Sequence, residues 1–247
     1  MSKSKKPDIS VFFPVYNEEG NITKLANDAQ EILSKVANNY EVLFVLLESS
    51  TDNSEKIIKD LNKQDKRIKL VLQPANFKGV GQAYKQGYEA AKYPIIFYAD
   101  GDNQFDLREI KNLLGHIPEY DIVAGYRINR QDPWIRRLTS KTYNTIVRIL
   151  FGRTVKDVDC AFRMVKKDVF KKVKLTRRYG TGTAELLIKA KMNGFKIKEV
   201  GVKHLPRYAG QSVFESRMNL PKVSVVTSVL KDLFDLRKEL RNESKKA

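Results

Sequence analysis

Short apolar runs alternate with longer amphipathic stretches over about the first 100 residues. Apolar runs at 9–13, 40–47, 68–72 and 95–99 are rich in β-branched and aromatic residues, which is typical of buried strands. Between them, apolar residues recur every three or four positions, as in the stretch 22–36, and predict helices. The resulting β-α-β-α-β-α-β order predicts an α/β fold with a parallel sheet and right-handed crossovers.

The second half continues with both kinds of element. Strands are expected at 120–124, 196–200 and 202–205, and helices at 107–114, 134–151 and 183–192. The stretch 220–240 repeats apolar residues at helical spacing and is punctuated by lysines and arginines. Two interpretations of this amphipathic helix stay open. It packs on the domain, or it lies in the plane of a membrane with its basic face toward anionic head groups, and a helix that does both fits the pattern.

Composition narrows the classes of partner. The 247 residues are 42% hydrophobic, which is typical of a folded chain, and the net charge of +17 predicts anionic partners: nucleic acid, nucleotide, phosphorylated substrate or an anionic membrane. A specific nucleic-acid site is disfavoured, because the basic residues are spread along the chain without a recognition motif. Cys160 is the only cysteine, which excludes an intrachain disulfide and a cysteine-rich zinc site. No apolar leader or membrane-spanning run is expected, so any membrane contact would be peripheral.

The segment 100–104, Asp-Gly-Asp-Asn-Gln, directly follows the predicted strand at 95–99. Ligands of open α/β sheets bind outside the carboxyl ends of the strands, where these side chains would lie. Paired carboxylates with a nearby amide are suitable oxygen ligands for Mg²⁺ or Mn²⁺. The same residues are also good turn formers, so a simple polar turn is the alternative. Neither the dehydrogenase glycine fingerprint nor a phosphate-binding loop ending in Gly-Lys-Ser/Thr is present.

Five segments of the chain can be compared with known families together: 14–18, 48–52, 100–104, 125–127 and 206–212. In order and spacing they resemble the family 2 glycosyltransferases, and within them the dolichyl-phosphate mannosyltransferase branch, whose members are polyprenyl-phosphate glycosyltransferases. The resemblance covers roughly residues 8–215. It implies the GT-A nucleotide-sugar-binding fold, with a mostly parallel central sheet flanked by helices. We therefore expect one domain at 1–215, followed by a basic amphipathic helix and tail at 216–247.

The resemblance also implies a donor site for a nucleoside-diphosphate sugar carrying GDP or UDP. Pro14, Tyr16 and Glu18 would line the nucleoside pocket, and Glu48 would contact the base or ribose. Asp100, with Gly101 beside it, would lie near the ribose and diphosphate. Asp102 and Gln104 would hold a divalent cation, Mg²⁺ or Mn²⁺.

A second group of matching residues implies the acceptor site. Arg127, Arg136, Ser140 and Arg207 match positions that bind the acceptor phosphate or the sugar diphosphate, whereas Asp157 and Glu185 match acidic residues of the family. The implied reaction transfers a hexose, mannose or glucose, to a polyprenyl (dolichyl) phosphate with inversion. The implied place is the cytoplasmic face of a membrane, as a peripheral protein, and a separate membrane anchor subunit is left open.

The chemistry of such an acceptor explains the arginines. A phosphomonoester has a second pKa of about 6 and is already a nucleophilic dianion at neutral pH, so no strong base is required. Arginine forks can hold two anionic groups together. If the acceptor were a sugar hydroxyl, a general base would be needed, and Asp157, Asp159 and Glu185 are the candidates. His116 and His204 fall outside the motifs, and we expect structural roles for them.

Departures from the family pattern leave alternatives open. Glu48 stands where the family usually has a pair of aspartates, so guanine and uracil are not distinguished. Ala161 replaces a usual glycine, and Val213 a frequent lysine. One alternative is a GT-A enzyme with a soluble or polysaccharide acceptor, and another is a catalytically silent nucleotide-binding relative.

Overall fold

The computed structural model describes residues 6–76, 79–210 and 223–243. Strands and helices alternate along most of the chain. The strands are β1 (Ile9–Val15), β2 (Tyr40–Leu47), β3 (Ile68–Gln73), β4 (Ile95–Ala99), β5 (Ile122–Ile128), β6 (Phe162–Lys166) and β7 (Ile197–Lys203). The helices are α1 (Glu19–Val36), α2 (Ser54–Gln64), α3 (Val80–Ala90), α4 (Ile110–Leu114), α5 (Trp134–Phe151), α6 (Gly182–Met192) and α7 (Val223–Glu243).

The strands form one sheet in the order β3-β2-β1-β4-β6-β5-β7. The first four are parallel, β6 runs antiparallel between β4 and β5, and β7 is parallel to β5. From β1 the chain adds β2 and β3 on one side of the sheet, and it then returns to add β4 on the other side of β1. The direction of strand addition therefore changes between β1 and β4. Such a switch point opens a crevice at the carboxyl ends of the strands. It places the residues after β1 beside those after β4, where the sequence predicted a site.

Both faces of the sheet are buried. On one face, Phe13 and Phe44 pack with α1 and α2, and on the other Phe12 and Tyr98 pack with α3 and α6. Burial on both faces explains why the strands read as continuous apolar runs rather than as alternating ones. The predicted α/β class is confirmed.

Several element boundaries differ from the prediction. We expected Pro14 to end the first strand, yet β1 continues to Val15. Its pairing with β4 stops at Phe12, so Pro14 lies where β1 is paired only with β2 and its missing N–H is tolerated. β5 extends to Ile128 and carries Arg127 on a strand. The two strands expected at 196–205 are the single strand β7.

The C-terminal helix α7 packs on the sheet domain through Leu233, Leu236 and Leu240, which supports the packed interpretation. Residues 211–222 lie outside the described part of the chain, and with them Val213 and the end of the fifth matching segment. None of the described helices combines the length and the apolar character needed to cross a bilayer.

Candidate active site at the carboxyl ends of the strands

A cavity of about 790 Å³ lies at the switch point. One part is polar and is formed by the ends of β1 and β4, including Glu18, Asp100 and Asp102. The other part is largely apolar and lies between α5 and α7, with Leu138 and Val226 among its residues. The two parts are continuous, so a single ligand site has charged residues at one end, the acidic floor, and apolar residues of α5 and α7 at the other, the apolar wall.

Asp100 and Asp102 follow β4 directly and lie in the polar part. Burial raises the pKa of Asp100, and the nearby Asp102 and Asp159 carboxylates raise it further. Burial also raises the pKa of Asp102, although Arg207 opposes this. Ionised carboxylates in this environment are stabilised by any cation that approaches them. This pair therefore fits a divalent cation that completes its coordination with substrate phosphates, as Mg²⁺ usually does.

Arg207 bridges the two acidic segments of the polar part. Its guanidinium donates to Asp102 Oδ2 at 2.9 Å and to Glu18 Oε1 at 3.1 Å. Burial raises the pKa of Glu18, and Arg207 counteracts that effect. The arginine thus neutralises carboxylates that belong to two distant parts of the sequence.

Gln104 is placed differently from the metal-ligand position that the resemblance implied. Its side-chain amide donates to the Leu205 carbonyl at 3.2 Å, and its own carbonyl accepts from the Leu205 amide at 2.8 Å. It does not line the cavity. Within the described residues, no three acidic, histidine or cysteine side chains form a metal-binding group. Asp100 and Asp102 are therefore the pair that fits a metal, and Gln104 positions the chain before Arg207.

Arg127 on β5 is held by two aspartates. Its Nε and Nη2 atoms donate to the Asp157 carboxylate at 2.8 and 2.9 Å, and Nη2 also reaches Asp159 at 3.2 Å and Ser140 at 3.2 Å. Burial opposes ionisation of Asp157, but the bonds from Arg127 outweigh it and lower the pKa of Asp157. Asp157 is thus an ionised partner of an arginine, which makes it a poor general base.

A second charged cluster stands behind Ser140. Asp132, which the sequence analysis did not single out, pairs with Arg130 at 2.8 Å and with Arg136 at 3.4 Å. His204 Nδ1 lies 3.6 Å from the same carboxylate, and burial lowers the pKa of His204 to about 4. The only sequence signal for Asp132 is its place immediately before Pro133 and α5, where acidic residues suit a helix dipole.

Glu48 and Glu185 lie outside the cavity lining, contrary to expectation. Glu48 accepts a hydrogen bond from the Ala75 amide at 3.0 Å. Glu185 is fully buried, accepts from the backbone amides of Thr176 and Arg177, and pairs with Lys189. Its hydrogen bonds hold the segment that precedes α6. Asp157, which is bonded to Arg127, does not line the cavity either. The other expected residues do line it: Pro14, Tyr16, Glu18, Asp100, Gly101, Asp102, Arg127, Arg136, Ser140 and Arg207.

The protein-family model described as "Glycosyl transferase family 2" matches residues 10–174 of this chain. The chain belongs to this family. It is 30% identical over 163 residues to the undecaprenyl-phosphate 4-deoxy-4-formamido-L-arabinose transferase of Proteus mirabilis, covering 65% of this chain and 49% of that one. It is 28% identical over 208 residues to the enzyme of the same name from Pectobacterium atrosepticum, covering 84% of this chain and 62% of that one. The chain therefore spans about half to three fifths of these curated relatives.

Solved structures of glucosyl-3-phosphoglycerate synthase from Mycobacterium tuberculosis are similar in fold. The complex with phosphoglyceric acid has a TM-score of 0.69 at 16% identity, over 94% of this chain and 80% of that one. The complex with Mn²⁺, UDP and phosphoglyceric acid has a TM-score of 0.66 at 16% identity, over 92% and 78%. At this identity the likeness concerns the fold, and it confirms the expected GT-A architecture.

Proposed function

We propose that this glycosyl transferase family 2 chain transfers a hexose from a nucleoside-diphosphate sugar to a polyprenyl phosphate. The observation that carries the proposal is the single cavity in which an acidic floor meets arginines and an apolar wall. The curated relatives, whose names specify undecaprenyl phosphate as acceptor, support the same assignment.

The donor would occupy the polar part of the cavity. Asp102 and Asp100 would hold Mg²⁺ or Mn²⁺, which supplies Lewis-acid stabilisation of a departing diphosphate when it is bound. Pro14 and Tyr16 would line the nucleoside pocket. Arg207 lies beside these carboxylates and would turn toward the diphosphate once a metal shares Asp102 with it. GDP and UDP remain the two candidates, since Glu48 does not line the pocket.

The acceptor phosphate would be bound near Arg127, Arg136 and Ser140. As a dianion it attacks the sugar without a general base, with expected inversion at the anomeric carbon. Asp157 then acts as a positioning residue, because its two bonds fix the Arg127 guanidinium in one plane. Ser140 accepts from both Arg127 and Arg130, which leaves its own hydroxyl hydrogen able to donate to a phosphate oxygen.

The apolar part of the cavity favours a lipid acceptor over a soluble sugar or a polysaccharide. Leu138 and Ile146 of α5 face Val226, Val229 and Leu230 of α7 across it. A polyprenyl chain gains free energy by leaving water for such a groove, whereas the hydroxyls of a sugar would lose hydrogen bonds there.

The outer face of α5 would contact the membrane. Trp134, Leu138 and Ile149 are 70%, 55% and 74% exposed, and their spacing places them on one face with Arg137 and Lys141. No acidic residue occurs in Trp134–Phe151. A helix of this kind is complementary to an anionic bilayer surface. Placement on the cytoplasmic face and anchoring by a separate membrane subunit remain predictions.

Nucleotide binding tests the proposal. Thermal shift and calorimetry would be run with GDP and with UDP, each with Mn²⁺ and with a chelator. We expect one nucleotide to stabilise the protein only with the metal, and Asp102→Asn to weaken its binding about tenfold or more, which is at least 1.4 kcal/mol. Asp106→Asn is the matched control, since Asp106 pairs with Arg108 outside the cavity. Binding by neither nucleotide, or normal binding by Asp102→Asn, would contradict the donor site.

The acceptor is tested separately. A short-chain polyprenyl phosphate in detergent should accept the hexose, and free sugars or oligosaccharides should not. Transfer to the soluble acceptors alone would replace the lipid proposal with the polysaccharide alternative.

A further inference from the structure

Three helices meet at the junction between the polar and apolar parts of the cavity. Tyr84 of α3, Tyr143 of α5 and Thr183 of α6 all line it there. Helices α3 and α6 are in close contact. A Cβ atom added at Gly182 of α6 would lie only 3.2 Å from the Tyr84 ring of α3. The junction follows directly on the acidic floor, since the Tyr84 hydroxyl lies 3.4 Å from Asp100 Oδ1.

Two hydroxyl groups at this junction have no partner. Tyr143 Oη and Thr183 Oγ1 are shielded from solvent and make no hydrogen bond to any residue in the described part of the chain. Both belong to residues that line the cavity. Buried hydroxyls in native proteins are nearly always bonded, so exceptions at a ligand site indicate groups that are satisfied by the ligand.

Asp159 adds a carboxylate to the same place. Its side chain is 43% exposed and lines the cavity, and only Oδ2 is bonded to Arg127. Burial is the largest cause of the raised pKa of Tyr143, and the charge of the Asp159 carboxylate is the next largest. This effect indicates that the carboxylate lies near the Tyr143 phenol. The junction thus offers a carboxylate acceptor beside two hydroxyls that can both donate and accept.

We propose that Tyr143, Thr183 and Asp159 form the subsite that recognises the hydroxyl groups of the transferred sugar. The proposal rests on the proposed function, because it needs a nucleotide sugar whose diphosphate is bound at Asp100 and Asp102. A polyprenyl chain has no polar atom with which to satisfy Tyr143 Oη or Thr183 Oγ1, whereas a hexose ring carries several. In this role Asp159 binds sugar hydroxyls and does not act as a base.

The variants Tyr143→Phe and Thr183→Val remove one hydroxyl each with little change of shape. Dissociation constants would be measured with Mn²⁺ for UDP and UDP-glucose and for GDP and GDP-mannose. We expect each variant to bind the preferred nucleotide sugar about 5- to 10-fold more weakly, as for the loss of one hydrogen bond, and to bind its nucleoside diphosphate unchanged. The melting temperature should not fall, because the removed hydroxyls have no partner in the free protein.

Thr145→Val is the matched control on α5, since the Thr145 hydroxyl bonds to the Lys141 carbonyl and does not line the cavity. It should leave all four dissociation constants unchanged. Equal binding of the nucleotide sugar by the variants and the wild type, or an equal loss for the sugar and the diphosphate, would overturn the subsite alone. Failure of the wild-type protein to bind any of the four ligands would overturn the proposed function and the subsite with it.

Discussion

At the scale of single residues, the site balances charges that the protein interior disfavours. Asp102 is buried and Asp100 is half-buried, both carboxylates have raised pKa values, and Arg207 is the cation bonded to Asp102. Arg127 is bonded to Asp157 and Asp159, and its side chain is 5% exposed against 21% for Arg207, so it is held more firmly. The two arginines therefore differ in freedom. In the proposed donor site, Arg207 would exchange its carboxylate for a phosphate once a metal is bound, whereas Arg127 is preorganised.

His204 should make stability depend on pH. It is buried beside Asp132 and the Phe105 ring. Burial, followed by the charges of Arg127, Arg130 and Arg136, lowers its pKa to about 4, although Asp132 opposes this. In the unfolded chain the His204 side chain binds a proton near pH 6.5, whereas in the folded protein it does so only near pH 4. The folded protein therefore loses stability as pH falls between these values. We expect His204 to contribute a loss of about 2 kcal/mol to the free energy of unfolding between pH 7 and pH 5. The raised pKa of Asp100 acts in the opposite direction over this range, so the His204 contribution is measured as the difference between the wild type and His204→Gln in urea unfolding at both pH values.

The variant His204→Gln should lack this contribution, so relative to the wild type it should be more stable at pH 5 than at pH 7 by about 2 kcal/mol. His116→Gln is the matched control for the other histidine, which lies partly exposed against Tyr120, and it should behave as the wild type does. An equal pH dependence in the wild type and His204→Gln would show that other groups cause it.

The sequence predicted the residues whose position follows from the strand ends, and missed those that depend on side-chain direction. Asp100 and Asp102 had to lie at the sheet edge because they follow a buried strand. Glu185 was misplaced because Gly182–Ala190 is buried throughout, so no amphipathic pattern shows which face of α6 meets the cavity. No motif marks Tyr143 or Thr183, and only the three-dimensional structure reveals that their hydroxyls have no partner.

At the scale of elements, close approach of α3 to β1 shapes the wall of the cavity. Gly87 permits it, since a Cβ atom at this position would lie 2.3 Å from the Phe12 ring. Gly87→Ala should therefore destabilise the protein by about 1–3 kcal/mol through overpacking, despite the better helix propensity of alanine. Denaturant midpoints at constant m-value measure the change.

Gly115→Ala is the control for that substitution. A Cβ atom there would meet only the Lys111 carbonyl, at 3.9 Å, and the backbone has an ordinary φ of −60°. Its free energy of unfolding should stay within about 1 kcal/mol of the wild type and rise if it changes. Equal midpoints for both alanine variants would show that α3 can move away from β1 at little cost.

Element types were more predictable than their ends. The stretch at 134–151 was predicted as a helix of mixed character with its observed bounds, which Pro133 and Gly152 flank. The predicted division of β7 at Gly201 was wrong for a physical reason. A Cβ atom at Gly201 would lie 3.3 Å from the Tyr126 ring, so this glycine marks a close side-chain contact with β5 and not a break in the strand.

At the scale of the whole molecule, the net charge of +17 and the exposed apolar side chains on the outer face of α5 both favour binding to an anionic membrane. In the proposed membrane-bound state, long-range attraction would bring the protein to an anionic bilayer, and burial of the exposed apolar side chains of α5 would retain it there. Leu138 belongs both to this face and to the cavity lining, so an acceptor lipid could pass from the bilayer into the groove without crossing water. The orientation of the protein on the membrane would thus follow from the position of its lipid site.

Co-sedimentation with vesicles tests this orientation. Binding to vesicles of phosphatidylglycerol and phosphatidylcholine should exceed binding to phosphatidylcholine alone and should weaken at high salt, because the attraction is partly electrostatic. Replacing Trp134 and Ile149 by serine should lower the partition coefficient about tenfold or more, since each large apolar side chain contributes about 1.5–3 kcal/mol when fully buried. Phe234→Ser on α7, where Phe234 is 58% exposed, is the matched control and should bind as the wild type does. If Phe234→Ser loses binding and the α5 variant keeps it, α7 is the membrane helix and the lipid must reach the cavity from the other side.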